Sequence, residues 1–254
     1  MIITNDLIKE ATIQVQSNIG NKLALDAGNK NSYPGTGSTW FDISGNNNNA
    51  TFISAATFSN GSFNFNGISN YAVVQSSPSL NVIGFNVSFE VWATNNLFTE
   101  NNNYARFPIF KGPYNGGDQG FAGNYGFWII AENPGSPEIQ SKLFLRFGSN
   151  NGVAGEVNRD MSGIYNFTPG VFNQFFITQD SNGFKFYING SFVSAGTNAD
   201  LLLGADASNL LIGKRSDNWG YMDGKIAIIN IWDKKLSDAD ILTNYNFYSS
   251  RFNA

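Results

Sequence analysis

The sequence predicts an all-β protein: one antiparallel β-sandwich with a short C-terminal helix. Three observations carry that expectation. Apolar residues recur with period two in short runs, Gly and Asn break those runs at close intervals, and only two stretches have helical spacing. The 254 residues are 42% hydrophobic and 15% aromatic, enough for one packed core, and no repeat or long linker divides them. Charged residues are only 13% of the chain, so solubility falls to neutral polar groups, of which Asn is the commonest.

From the N-terminus, Ile3, Leu7, Ala11 and Val15 lie four apart, a weak helical stripe. Residues 1–20 are therefore set apart as an arm or helix for attachment or oligomerisation, and 21–254 as one sandwich domain. Strands are expected at 22–27 and 49–53. Between them runs WFDISGNNNNATF (40–52), four asparagines after Gly45 with strand signals on both sides. That context marks a turn, tied by an Asx bond from Asp42, in which Asn tolerates positive φ.

Further strands follow at 62–66 and 71–75. NVSFEVWATN (86–95) puts Val87, Phe89, Val91 and Ala93 on one face and Ser88, Glu90, Trp92 and Thr94 on the other. Strands at 106–111, 125–131 and 142–147 come next. QFFITQDSNGFKFYINGSFVSAG (174–196) reads as a three-stranded meander with turns at Asp180–Gly183 and Asn189-Gly190. After a strand at 209–213, GKIAIINIWD (224–233) is apolar on both faces, as a central, doubly covered strand should be. LSDADILTNYNFY (236–248) opens with Ser237 and has Asp240 three residues on, a helix-capping arrangement.

Several of these phrases resemble one family. LALDAGNKNSYPGTGSTWFDISGNNNNAT (23–51), SFNFNGISNYAVV (62–74), FKFYINGSFV (184–193) and MDGKIAIINIWDKKLSDADILTNY (222–245) are similar to laminin-G-like, concanavalin A-like jelly-roll domains of phage structural proteins. The resemblance implies two face-to-face antiparallel sheets of about six or seven strands each. It also implies glycan binding, adhesion or virion structure, since this fold does not by itself set a function. The sequence departs from the family at Phe172-Asn-Gln-Phe175, where Trp-His is usual, and at Asn66 and Asn70, where members carry Asp.

Composition removes whole classes of chemistry. The chain has no His and no Cys, which excludes Ser-His-Asp and Cys-His catalysis, His-ligated zinc, thiolate ligands and disulfides. A net charge of −4 with no run of Lys or Arg argues against nucleic acid and anionic membrane surfaces, and no stretch is apolar for the length of a membrane span. MIITNDLIKEATIQVQ lacks a signal-peptide core, so synthesis in a host cytoplasm and display on a virion is the expectation.

Carboxylate chemistry remains, and glycosidases of the resembled fold place Glu-x-Asp-x-x-Glu on one strand. Here Glu90 is followed by Trp92 and Asn95, so the motif is missing. Glu132, Glu138 and Glu156 read as loop residues with no acid at period-two spacing. Glu90 itself reads as an outer-face carboxylate, solvated or hydrogen-bonded, and the chain as a non-enzyme.

Two loops are candidates for binding. GPYNGGDQGFAGNYG (112–126) offers Tyr114, Phe121 and Tyr125, or is simply a crossover; with no helix after it, it is not a phosphate cradle. GKRSDNWGYMDG (213–224) combines Lys214, Arg215, Asp217, Asn218, Trp219 and Tyr221, the mixture of rings and hydrogen-bonding groups that sugars require. Its alternative is a rim loop whose Trp packs back onto the sandwich. Asp26, Asp42 and Asp223 are candidate oxygen ligands for Ca²⁺, against which stand turn capping by Asp42 and amide contacts by the other two. Four Asn-x-Ser/Thr sequons, at Asn60, Asn86, Asn166 and Asn189, are what so much Asn produces by chance.

The expected function is a non-catalytic structural or adhesion protein of a phage particle, a lectin-like module on capsid, neck or tail. Its partners would be other virion proteins, copies of itself and surface glycans. A decoration protein with no ligand and a glycoside hydrolase of the same fold are the alternatives.

Overall fold

The structure is a computed structural model that describes residues 20–82, 84, 86–94, 105–112, 125–132, 140–148, 156–160, 168, 170–197 and 206–252. The proposed N-terminal arm lies almost wholly outside these residues.

Two antiparallel sheets face each other. The first has the order β14 (Ser191–Gly196), β13 (Gly183–Ile188), β12 (Asn173–Asp180), β7 (Val87–Ala93), β16 (Asp223–Trp232), β5 (Ser62–Asn66) and β4 (Thr57–Ser59). β1 (Asn21–Asp26) runs along the second half of β16, beyond the stretch that β5 pairs. The second sheet has the order β11 (Glu156–Asp160), β10 (Gln140–Gly148), β9 (Tyr125–Glu132), β8 (Ala105–Lys111), β15 (Leu210–Ile212), β6 (Tyr71–Val74), β3 (Ala50–Ser54) and β2 (Thr39–Trp40). Every predicted strand is present, and each sheet has eight strands. The additional ones, β2, β4 and β11, are two to five residues long, too short to show alternation.

The core between the sheets is built from Leu23, Leu25, Trp40, Phe63, Phe65, Phe89, Val91, Ile229 and Ile231 among others, all essentially sealed from solvent. β16 is central, as its apolar sequence requires, but it does not alternate evenly. Its register against β7 shifts between Ile226 and Ile228, so Ile226, Ile229 and Ile231 enter the core while Ile228 and Trp232 turn outward.

That outward face is covered too. Helix α1 (Asp238–Ser249) starts from Ser237, whose Oγ accepts the Asp240 amide while the Asp240 carboxylate accepts the Ser237 amide. Its spacing puts Ile241, Asn244 and Tyr248 on one buried stripe. Under it, Trp92 stacks on Tyr245 (centroids 5.7 Å apart) and on Phe252 (4.8 Å), and Trp232 stacks on Phe176 (5.5 Å). β7 is consequently buried at all seven positions. Glu90 and Trp92 are thus interior residues, and the solvated alternative for Glu90 is corrected.

The Asn-rich stretch is a turn in which each asparagine has a separate task. Asp42 accepts the Ala24, Ser44 and Asn48 amides at 2.9 Å and the Ser44 hydroxyl at 2.8 Å. Asn46 and Asn48 donate to the Asn21 and Lys22 carbonyls, Asn49 accepts the Asp42 amide, and Asn47 has φ +59°. Of the four, only Asn47 needs the left-handed region.

Candidate functional site

The loop from Gly213 to Met222 joins β15 to β16 and closes on itself. The Arg215 amide donates to the Trp219 carbonyl at 3.0 Å, and the Met222 amide to the Gly213 carbonyl at 2.8 Å. Gly213 (φ +90°) admits no side chain, because a Cβ there would lie 2.6 Å from the Phe65 ring. Asn218 (φ +61°) and Gly220 (φ +66°) make the tip. The Phe107 amide donates to the Gly220 carbonyl, and Arg106 Nη1 donates to the Tyr221 carbonyl at 2.9 Å, which fastens the loop to β8.

Six predicted residues lie on this loop. Arg215 grips Asp217 through two hydrogen bonds of 2.8 and 2.7 Å, and its guanidinium holds the Asp217 carboxyl below the usual carboxylate range. The same guanidinium lies 4.5 Å from the Trp219 ring centroid. Trp219 meets Phe107 edge-on at 6.1 Å and stays 37% exposed. The indole therefore packs back against Phe107 and Arg215 while just over a third of it stays in solvent, which joins the two alternatives for this loop. Asn218 is exposed and Tyr221 half-buried.

Lys214 sits just behind this tip with 6% exposure. Its ammonium lies 3.8 Å from the Tyr71 ring centroid and 5.8 Å from that of Tyr221, and it donates to the Asn218 side-chain carbonyl. Burial pushes its pKa down, opposed by the field of Asp217. The turn Asn66–Asn70 joins the same rim, since the Gly67 amide donates to the Met222 carbonyl at 2.8 Å, and its tip presents Ile68 at 75% exposure. Sequence reasoning missed Tyr71, Arg106 and Phe107. Tyr71 could have been found, because its alternation with Ala72 turns it away from the core.

Tyr125 is corrected. It is 4% exposed, its ring lies 4.9 Å from Phe89, and its hydroxyl donates to the Leu80 carbonyl, so it belongs to the core. Burial raises its pKa far above the tyrosine range. Tyr114 and Phe121, from the same stretch, lie outside the described residues.

The structure does not gather Asp26, Asp42 and Asp223, and no group of three Asp or Glu suited to a metal forms among the described residues. Asp26 is clamped by Arg251 through bonds of 2.8 and 2.9 Å and accepts the Gly28 amide. Asp42 is filled by the turn already described. Asp223 begins β16, its side chain 3.0–3.2 Å from where a Cβ on Gly67 would stand.

Glu90 lies under the helix at 0% exposure. Trp92 Nε1 and Gln174 Nε2 donate to its Oε1 at 2.8 and 2.6 Å, and Asn230 Nδ2 donates to its Oε2 at 2.9 Å. Gln174 is itself fixed by the Gly190 amide on its Oε1. A carboxylate so enclosed has no route to a substrate. Glu132 and Glu156 end β9 and begin β11, so they are strand residues and not loop residues; Glu138 lies outside the described residues.

Residues 66–242 match the family model of the Concanavalin A-like lectin/glucanases superfamily. No curated protein matches the chain. Among solved structures, the binding domain of Paraclostridial Mosquitocidal Protein 1 superposes with TM-score 0.66 at 14% identity, over 92% of this chain and 53% of that one. The binding domain of botulinum neurotoxin DC in complex with SialylT superposes with TM-score 0.64 at 18% identity, over 91% and 52%. Domain 4 of AbnA, a GH43 extracellular arabinanase from Geobacillus stearothermophilus, in complex with arabinotriose, does so with TM-score 0.55 at 16% identity, over 87% and 96%. The chain thus spans about half the length of the toxin binding domains but nearly all of the arabinanase domain. Identities this low carry the fold and not the ligand.

Proposed function

The chain belongs to the Concanavalin A-like lectin/glucanases superfamily, and from that premise we propose that it is a non-catalytic, lectin-like module that binds glycans at the Lys214–Tyr221 rim. One observation carries this: an indole more than a third exposed, fixed from below by Phe107 and Arg215, stands beside a bidentate Arg–Asp pair and a boxed lysine. The apolar face of a pyranose matches such a ring, and its hydroxyls match the flanking donors and acceptors. A single shallow ring platform binds weakly, so function would come from many copies acting together.

For the setting we propose a phage particle, with this module displayed on capsid, neck or tail and residues 1–20 as its attachment or oligomerisation element. The support is the run of phrases shared with phage structural domains. Deleting residues 1–20 should abolish incorporation into particles while the sandwich still folds; full incorporation would remove the anchor role. Catalysis is not part of the proposal, because Glu90, the acid the sequence makes the best local candidate, is sealed under a helix.

The direct test is a glycan array probed with the multimerised chain and with Trp219→Ala. Stacking on the indole predicts a drop of about tenfold or more in capture by the variant. Equal capture with an unchanged circular dichroism spectrum would remove the rim from consideration and favour decoration without a ligand.

A further inference from the structure

Among the described residues, Lys214 has no carboxylate within ion-pair reach. An ammonium at 6% exposure ordinarily acquires a carboxylate partner, since burial of a charge is otherwise unfavourable. Arg215 has one, in Asp217. Lys214 instead donates to the side-chain amide of Asn218 and faces the Tyr71 and Tyr221 rings, while the Asp217 carboxylate, already held by Arg215, acts on it only through its field. The cover over it is thin: Asn218 is exposed, sits at the loop tip in the left-handed region, and is the neighbour of Trp219. A neutral oxygen carried by an exposed tip side chain therefore occupies the place an anionic oxygen would fill best.

Resting on the glycan-binding reading of this rim, we infer that the sugar bound here is an acidic one. Its carboxylate takes the place of the Asn218 carbonyl on the Lys214 ammonium while its ring lies on Trp219. The exchange replaces a charged–neutral hydrogen bond with a charge-assisted one in a site that the two tyrosines shield from water. The chain as a whole carries net charge −4, so attraction at this point is local and not a general property of the surface. Neutral sugars would still stack on the indole, without the anchoring contact.

The test is an array of acidic oligosaccharides, uronic and sialic types, each printed beside its carboxyl-reduced form, which keeps the ring and removes the charge. Wild type should capture at least one acidic member about tenfold better than its reduced partner. Lys214→Met, which preserves the stem, should bring that ratio to about one. Asn218→Asp tests the same contact at an exposed position: the new carboxylate occupies the ammonium, so acidic members should lose about tenfold relative to their reduced partners. If reduced forms bind as well as acidic ones and Trp219→Ala abolishes both, the rim stands and the acidic preference falls. A preference that survives Lys214→Met and Asn218→Asp together also overturns it. If neither form is captured by wild type, the glycan-binding reading itself falls.

Discussion

Glu90 and Lys214 are both buried ionisable side chains whose hydrogen-bond partners are neutral, yet they belong to opposite kinds of place. Glu90 has three donors on its two oxygens, each held by the sheet, under a helix whose Tyr245 and Tyr248, with Phe252 just past its end, surround Trp92. Lys214 has one amide oxygen from a loop tip and two ring faces, with solvent just beyond. The first charge is enclosed by groups that cannot leave without unpacking the fold. The second is covered by a group that can. Burial alone does not identify a binding site; whether the cover is an interior network or a single exposed side chain does.

Replacing the central acceptor should break the first region most severely. Glu90→Leu would orphan the Trp92, Gln174 and Asn230 donors inside the protein, and urea denaturation should show a loss of about 3–5 kcal/mol. A loss below about 1 kcal/mol would mean that the donors find other partners and the enclosure is not a constraint.

The pH dependence separates the two regions by sign. Burial raises the Glu90 pKa above its ordinary 4.5, with the Asn230, Gln174 and Trp92 donors opposing. The folded chain therefore retains this proton where the unfolded chain has released it, so its contribution to stability declines as pH rises from 4.5 towards the folded value. Asp217 at the rim behaves in the opposite way. Its hydrogen bonds to Arg215 hold its pKa below 3.8, so its contribution is lost as pH falls through that range. Chemical denaturation of wild type and Glu90→Gln between pH 4 and 8 should show the downward slope in wild type only; parallel curves would mean that Glu90 has the same pKa folded and unfolded.

The smallest effect belongs to Lys214. Lys214→Met removes a desolvated charge together with its attractions, and the two nearly cancel, so stability should change by less than about 1 kcal/mol. A loss near that of Glu90→Leu would make Lys214 a structural residue, and the contrast between the two regions would collapse. Trp219→Ala belongs with it, a change read in binding and not in unfolding.

Much of this was legible locally. The Ser237–Asp240 cap, the Asp42 turn and the central position of GKIAIINIWD depend on residues a few places apart in the chain, so a linear reading reaches them. The rim loop was legible for a chemical reason, since Trp, Arg, Asp and Asn crowded together with Gly between two apolar runs mark a surface turn. Tyr125 defeated the same reasoning, because a tyrosine at a strand start gives no local sign of which way it faces.

Period-two alternation assigns residues to two faces but does not say whether a face is roofed. Glu90 and Trp92 alternate correctly, and only the docking of α1 from the far end of the chain turns their face into interior. Nor does alternation foresee the register shift in β16 that sends Ile226 and Ile228 to opposite sides. The box around Lys214 likewise needs Tyr71, more than a hundred residues upstream, brought beside the loop as β6 pairs with β15. Local sequence set the longer strands, the turns, the cap and the absence of histidine and thiol chemistry. Which charges are sealed and which are merely covered was decided by long-range packing, because burial is a property of surfaces that meet and not of neighbours in the chain.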